Sequence, residues 1–245
     1  MTSPFIDNSD VPLVLIGGTL CNARLWQPLI AQLNVPAVIC LTLSRDASAE
    51  AASRRLLHIL PPRFLLAGFS LGAIVALQIA ADAPERLAGL ALLSVNPLAD
   101  RPENAVTRRA AVRTAREQGH GEWLSATLWH QYVAPSSLSN RPLHDLLCLM
   151  AQESDPDTFA RQTEMAISRR DNREALGHLA CPVLILNGEF DPICTPAHHR
   201  LLADSIPHAT WATLGSSGHF FVLEAADKAA VPVRKWIKES LNASE

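Results

Sequence analysis

The sequence predicts an α/β protein: a doubly wound, mainly parallel sheet of about six strands in the order 2-1-3-4-5-6, with a helical cap insertion. Three observations predict it. Short runs rich in Val, Ile and Leu recur without polar alternation, as strands buried on both faces of a parallel sheet do. Stretches with helical spacing separate most of them. A serine between glycines stands where one apolar run gives way to a helical stretch.

In chain order, the run Pro12–Ile16 reads as the first strand and Leu25–Leu33 as the helix after it. Val35–Leu43 and Ala49–Leu60 form the second strand–helix pair, and Arg63–Gly68 and Leu71–Ala81 the third. The fourth strand, Leu87–Val95, is followed by a change of rhythm. From Pro97 to Leu179 no strand pattern occurs. That segment holds helical patterns at Arg108–Gln118, Glu122–Tyr132, Leu143–Glu153 and Thr158–Ser168, punctuated by Pro135, Pro142 and Pro156. Strand and helix then resume as Pro182–Asn187 with Ala197–Ile206, and Thr210–Leu214 with Ala226–Leu241. The chain therefore divides into an α/β core at 1–97 and 179–245 and a helical cap insertion at 98–178. An insertion at that point lies over the carboxyl ends of the strands, where open α/β sheets bind ligands.

Composition narrows the function. The chain has 245 residues, 48% hydrophobic and 18% charged, which is a core-forming composition. The net charge of −3 gives no basic face for nucleic acid, and no apolar run approaches the roughly 18 residues of a membrane span. The first ten residues are polar and carry two Asp, so no secretory signal is expected there. The cysteines, Cys21, Cys40, Cys148, Cys181 and Cys194, are irregularly spaced with no CxxC, which argues against a zinc site or a disulfide framework and for a reducing, cytoplasmic setting.

The strongest motif is Gly68-Phe-Ser-Leu-Gly72, between the apolar run FLLA and the helical stretch LGAIVALQIAA. That context is what a nucleophile elbow needs, because a sharp strand–helix turn lifts the Ser70 hydroxyl clear of the sheet. A serine nucleophile needs a base, and the base needs an orienting acid. His219, in GSSGHFF after the last strand, is the candidate base; most of the other histidines read as solvated or helix-surface residues. Asp191, in LNGEFDP after the fifth strand, is the candidate acid, although Asp-Pro is also an ordinary turn and Asp191 could instead cap the next helix. Asp100 is the fallback acid. The order Ser70, Asp191, His219 matches the chain order nucleophile, acid, base. The oxyanion donors are expected to be the backbone N–H of Leu71 and of Thr19, with Leu20 next, since Gly17-Gly18 lets the first loop approach the elbow. Cys21 is not needed as a nucleophile, and Trp26 reads as a core contact.

The segments LVLIGGTLCNARLW, FLLAGFSLGAIVALQIA, VLILNGEFDPICTP and GSSGHFFVLE together resemble the α/β-hydrolase superfamily over essentially the full chain. Within it the chain is similar to the small carboxylesterases that include the pimeloyl-acyl-carrier-protein methyl ester esterase group. Two features depart from that pattern: Gly17 stands where most members have His, and only about a dozen residues precede the first strand.

The expected function is a serine hydrolase that cleaves a small to medium carboxylic ester through an acyl-enzyme, with no metal or organic cofactor. Its partner is the small-molecule ester, with no nucleic acid and no membrane. Lactonase, thioesterase, aminopeptidase and lyase variants share the machinery. An aminopeptidase would need a carboxylate such as Glu153 or Glu164 near its substrate, and a lyase could use Arg169, Arg170 and Arg173 against carboxylates. A non-catalytic small-molecule binder is the competing class. Five arginines between Arg101 and Arg116 read most simply as a solvated face, and more sharply as a docking patch for an acidic acyl carrier protein or a phosphate-bearing acyl group. In the insertion, Leu124, Leu128, Trp129, Tyr132, Leu146, Leu147, Met150, Phe159 and Met165 are divided between packing and pocket walls, with packing the commoner role.

Overall fold

The apolar runs pair into one parallel sheet in a computed structural model that describes residues 11–33, 35 and 37–243. The N-terminal decapeptide, and with it the expectation about a secretory signal, lies outside the described residues. The strands are β1 (Leu13–Ile16), β2 (Val38–Leu41), β3 (Phe64–Phe69), β4 (Leu87–Leu93), β5 (Val183–Gly188) and β6 (Thr210–Leu214). Their order is β2-β1-β3-β4-β5-β6, and every pairing is parallel, as the sequence predicts. The central strands β1, β3, β4 and β5 are buried at every residue, whereas the edges β2 and β6 are only half-buried.

Successive side chains on a strand point to opposite faces, so each central strand feeds two cores. Leu13, Leu15, Leu65 and Phe69 pack with Trp26 and Trp236 on one face. Val14, Ile16, Phe64 and Leu66 pack with Leu56 and Val75 on the other.

The helices are α1 (Gln27–Ile30), α2 (Ala49–Ile59), α3 (Leu71–Asp82), α4 (Asn104–Gln118), α5 (His120–Thr127), α6 (Trp129–Tyr132), α7 (Arg141–Gln152), α8 (Thr158–Ser168), α9 (Arg173–Leu176), α10 (Pro196–Ser205), α11 (Phe221–Glu224) and α12 (Ala226–Asn242). Helix α3 is buried at nearly every position, which explains its uniformly apolar sequence. Between β4 and β5 the described residues form helices and turns.

Two predicted helices are broken. Leu25–Leu33 becomes a 3-10 turn, Ala23–Trp26, followed by the single turn α1. Pro28 lacks an N–H and is accommodated in the first turn of a new helix, not inside a longer one. Glu122–Tyr132 is divided into α5 and α6 at Leu128, whose φ of −112° leaves the helical range. The short helices α9 and α11 span one turn each, too little for periodicity to register. None of the described helices is long and apolar enough to cross a membrane.

Candidate active site

Ser70 joins β3 to α3 with φ 53° and ψ −114°. A non-glycine residue holds such a backbone only when its surroundings impose it, at a cost of about 1–3 kcal/mol. The neighbouring glycines impose it here. A Cβ on Gly68 would lie 2.5 Å from Ala73 Cα, and one on Gly72 would lie 2.1 Å from the Ile16 carbonyl oxygen. Only bare backbone fits at either position, so strand and helix close into a turn tight enough to present the serine.

His219 Nε2 lies 3.0 Å from Ser70 Oγ, and His219 Nδ1 lies 2.8 Å from Asp191 Oδ2. Ionised Asp191 can only accept, so Nδ1 carries the proton and Nε2 is left to accept from the serine hydroxyl. The imidazole is 2% exposed, stacked on Tyr132 and packed against Phe69 and Phe220. Ser94 Oγ donates to the His219 carbonyl at 3.0 Å and holds the loop from below.

Asp191 performs the turn role and the pairing role together. Its Oδ1 accepts the Ile193 and Cys194 N–H groups at 2.9 and 2.8 Å, while Oδ2 faces His219. Burial alone would push this carboxyl up, but the His219 ring and the two backbone donors outweigh it and hold the group below the usual carboxylate range. Capping of α10 falls instead to Thr195, with His198 completing the box. The fallback Asp100 is engaged elsewhere, by Arg108, Asn104 and Arg169.

On the other side of Ser70, the Leu71 N–H is the first of α3 and has no intrahelical acceptor. The Thr19 N–H meets no acceptor among the described residues, and both residues line the cavity at Ser70. The alternative donor Leu20 is corrected by the structure. Its N–H is turned away and donates to Gln162 Oε1 at 2.9 Å, with Leu20 at φ 54°. Gln162 Nε2 donates in turn to the Leu43 carbonyl at 2.8 Å. This α8 side chain, 1% exposed, therefore ties the first loop to the end of β2. Sequence reasoning missed it, although Gln162 shares the helix face of Phe159 and Met165, and a polar residue on an apolar stripe needs buried partners. Cys21 beside the loop is pushed up to about 12 by burial, so it stays a thiol.

His199, on α10, is completely buried. Its Nε2 accepts the Val95 N–H at 3.1 Å, and its Nδ1 donates to the Thr195 carbonyl at 2.9 Å. The Val95 contact requires the neutral ring, and burial, outweighing the Thr195 carbonyl, pushes His199 down from 6.5 to about 4. The unfolded chain takes up this proton below about pH 6.5, whereas the folded chain resists until about pH 4. Stability is therefore complete above pH 6.5, and on the order of 3 kcal/mol is lost by pH 4 from this group. NMR titration of the His199 ring is the check; a midpoint near 6.5 would contradict it.

The cavity holds about 370 Å³ and is open at one side. Ser70 and His219 share its wall with Ile74, Trp123, Leu128, Tyr132 and Phe159. Leu124, Trp129, Leu147, Met150 and Met165 are packed in the cores, and Leu146 is half-buried. Glu153 is spent on Arg24 and Asn22, and Glu164 on Arg109, neither facing the cavity. Arg170 pairs with Glu50 and Arg173 with Asp171, which leaves only Arg169 of that trio on the cavity wall.

Comparison with known proteins agrees with this architecture. A family model described as alpha/beta hydrolase fold matches residues 42–226. Two curated relatives are pimeloyl-[acyl-carrier protein] methyl ester esterases. The one from Legionella pneumophila is 24% identical, with 93% of this chain and 95% of that protein covered. The one from Aromatoleum aromaticum is 28% identical, with 80% and 83% covered. A solved thermophilic esterase from Thermogutta terrifontis shares the fold at TM-score 0.84 and 24% identity, covering 94% of this chain and 90% of that one. The matched family spans most of the sequence, including both strand-end loops that carry Asp191 and His219, and the chain belongs to the alpha/beta hydrolase fold family.

Proposed function

We propose that this chain is a serine hydrolase that cleaves a carboxylic ester of small to medium size through an acyl-enzyme. The observation that carries the reading is the hydrogen-bonded chain Ser70–His219–Asp191 at the wall of the cavity. Ser70 Oγ attacks the ester carbonyl while His219 Nε2 takes its proton. Asp191 stabilises the resulting imidazolium, and the Thr19 and Leu71 N–H groups receive the oxyanion. His219 returns the proton to the departing alcohol, and water enters by the same steps in reverse to release the acid. The helices between β4 and β5 supply much of the cavity wall and act as its cap. The ester-cleaving activity printed for the curated relatives is consistent with this reading.

Turnover of p-nitrophenyl acetate and butyrate, together with covalent capture of Ser70 by a fluorophosphonate, is the direct test. A chain that turns over neither ester and leaves Ser70 unlabelled is a binder, not an esterase.

Gln162 gives a finer test of the oxyanion side. Gln162→Met keeps side-chain volume but removes the acceptor of the Leu20 N–H and the bond to the Leu43 carbonyl that anchors it. Released, that turn moves the adjacent Thr19 donor. The expected result is a fall in kcat of about tenfold or more with KM changed less than about threefold, because the donor acts mainly in the transition state. An unchanged kcat in the folded variant would remove the link between α8 and the oxyanion loop.

A further inference from the structure

We propose that the cavity contains an anion-binding end, formed by Arg108 and backed by the Asp100–Arg169 pair, and that the ester it accepts carries a carboxylate remote from the scissile bond. This deepens the ester-hydrolase reading and rests on it for the role of Ser70.

Charge accounting along the cavity wall supports it. Among the described residues lining the cavity, Arg108 and Arg169 bring two guanidiniums, and no Asp or Glu is present. The compensating carboxylate stands behind them. Asp100 Oδ2 accepts Arg108 Nε at 2.7 Å, and Oδ1 accepts Arg108 Nη2 and Arg169 Nη2, each at 3.1 Å, with Asn104 Nδ2 at 3.0 Å. One buried carboxylate thus serves two cations, and one positive charge is left over.

That excess lies on the cavity wall, where Arg108 and Arg169 differ from three neighbouring arginines. Arg109, Arg116 and Arg161 lie on the same two helices, α4 and α8, and each has an acidic partner of its own, in Glu164, Asp157 and Asp155. Each nitrogen of Arg169 has an acceptor, with Nε on the Leu98 carbonyl, Nη1 on the Ala166 carbonyl and Nη2 on Asp100. Arg108 differs. Its Nε and Nη2 hold Asp100, its Nη1 meets no acceptor among the described residues, and its side chain remains 38% exposed. Asp100 fixes the guanidinium plane, so the outer edge is pre-oriented toward an incoming anion.

Apolar and aromatic walls, Ile74, Trp123, Leu128 and Phe159 among them, strengthen the effect of an unbalanced charge by excluding water. A carboxylate is the simplest group that restores neutrality and matches the flat donor edge of an arginine. The substrate class is therefore an ester with an anionic far end. The carboxylate belongs either to the acyl part, as in the half-ester of a dicarboxylic acid, or to the alcohol part, as in an ester of a hydroxy acid.

The test separates binding from turnover. In Ser70→Ala protein, calorimetry compares linear dicarboxylic half methyl esters of increasing length with the matching dimethyl esters. At the best length the half-ester is expected to bind about tenfold to hundredfold tighter, the range that a hydrogen bond to a charged group provides. Adding Arg108→Gln to that protein is expected to remove most of the preference, while adding Arg113→Gln, on the exposed face of the same helix, retains it. A parallel series of methyl-capped hydroxy-acid esters shows which side of the ester carries the anion. Equal affinity for charged and neutral ligands at every length in both series, or a preference that survives Arg108→Gln, overturns the anion site. Absence of turnover by the wild-type chain overturns the ester-hydrolase reading alone, because the binding comparison does not use Ser70.

Discussion

Ser70→Ala is expected to leave the fold in place and to lower kcat by about 10³-fold or more, equivalent to about 4 kcal/mol of transition-state stabilisation. The oxygen it removes is the atom 3.0 Å from His219 Nε2, and among the described residues no other hydroxyl donates to that nitrogen. The elbow survives because Gly68 and Gly72, not the serine hydroxyl, create the turn. Ser70→Gly extends the test. The backbone there has φ 53°, so glycine relieves strain, and the unfolding free energy is expected to rise by about 1 kcal/mol while turnover is lost. Initial rates and urea unfolding of the two variants check both halves. Retention of most esterase activity by Ser70→Ala would remove Ser70 as nucleophile.

Asp191→Asn carries the second large effect. The wild-type carboxylate uses one oxygen for the Ile193 and Cys194 N–H groups and the other for His219 Nδ1. An amide has only one oxygen. The two backbone donors retain it, which turns the amide nitrogen toward Nδ1. His219 must then accept at Nδ1 and keep its proton on Nε2, the form that cannot take the proton from Ser70. Loss of about 10⁴-fold in kcat with little change in KM is expected, since Asp191 is behind the imidazole and away from the substrate. Steady-state kinetics at several pH values measures it. If Asp100→Asn is the damaging change and Asp191→Asn is mild, the acid has been assigned to the wrong strand.

The sequence by itself determined the sheet and the strand-end loops that hold Ser70, Asp191 and His219. Strands buried on both faces lack alternation, which marks β1, β3, β4 and β5, and the strand–helix rhythm of the chain predicts the order 2-1-3-4-5-6 that the sheet adopts. The elbow is legible because its two glycines stand at fixed offsets from Ser70 and both are visible in five residues: Gly68 lets backbone meet backbone within the turn, and Gly72 lets α3 meet the end of β1. Asp191 and His219 are legible for a related reason, since each follows a strand whose apolar run announces where the loop begins.

Tertiary structure alone decided the rest. Thr19 and, after it, Leu20 are the donors the sequence offers, and a contact from Gln162, 142 residues from Leu20, claims the Leu20 N–H and leaves that of Thr19 without an acceptor beside the cavity. His199 is held neutral only because the fold brings the Val95 N–H to its buried ring. The arginines of α4 look alike along the chain. Only the folded structure shows that Arg109 has a carboxylate to itself, whereas Arg108 shares Asp100 with Arg169 at the cavity wall. The physical reason is common to all three. Periodicity and turn chemistry report forces acting within a few residues, but hydrogen-bond satisfaction and charge balance are settled between segments that meet only after folding.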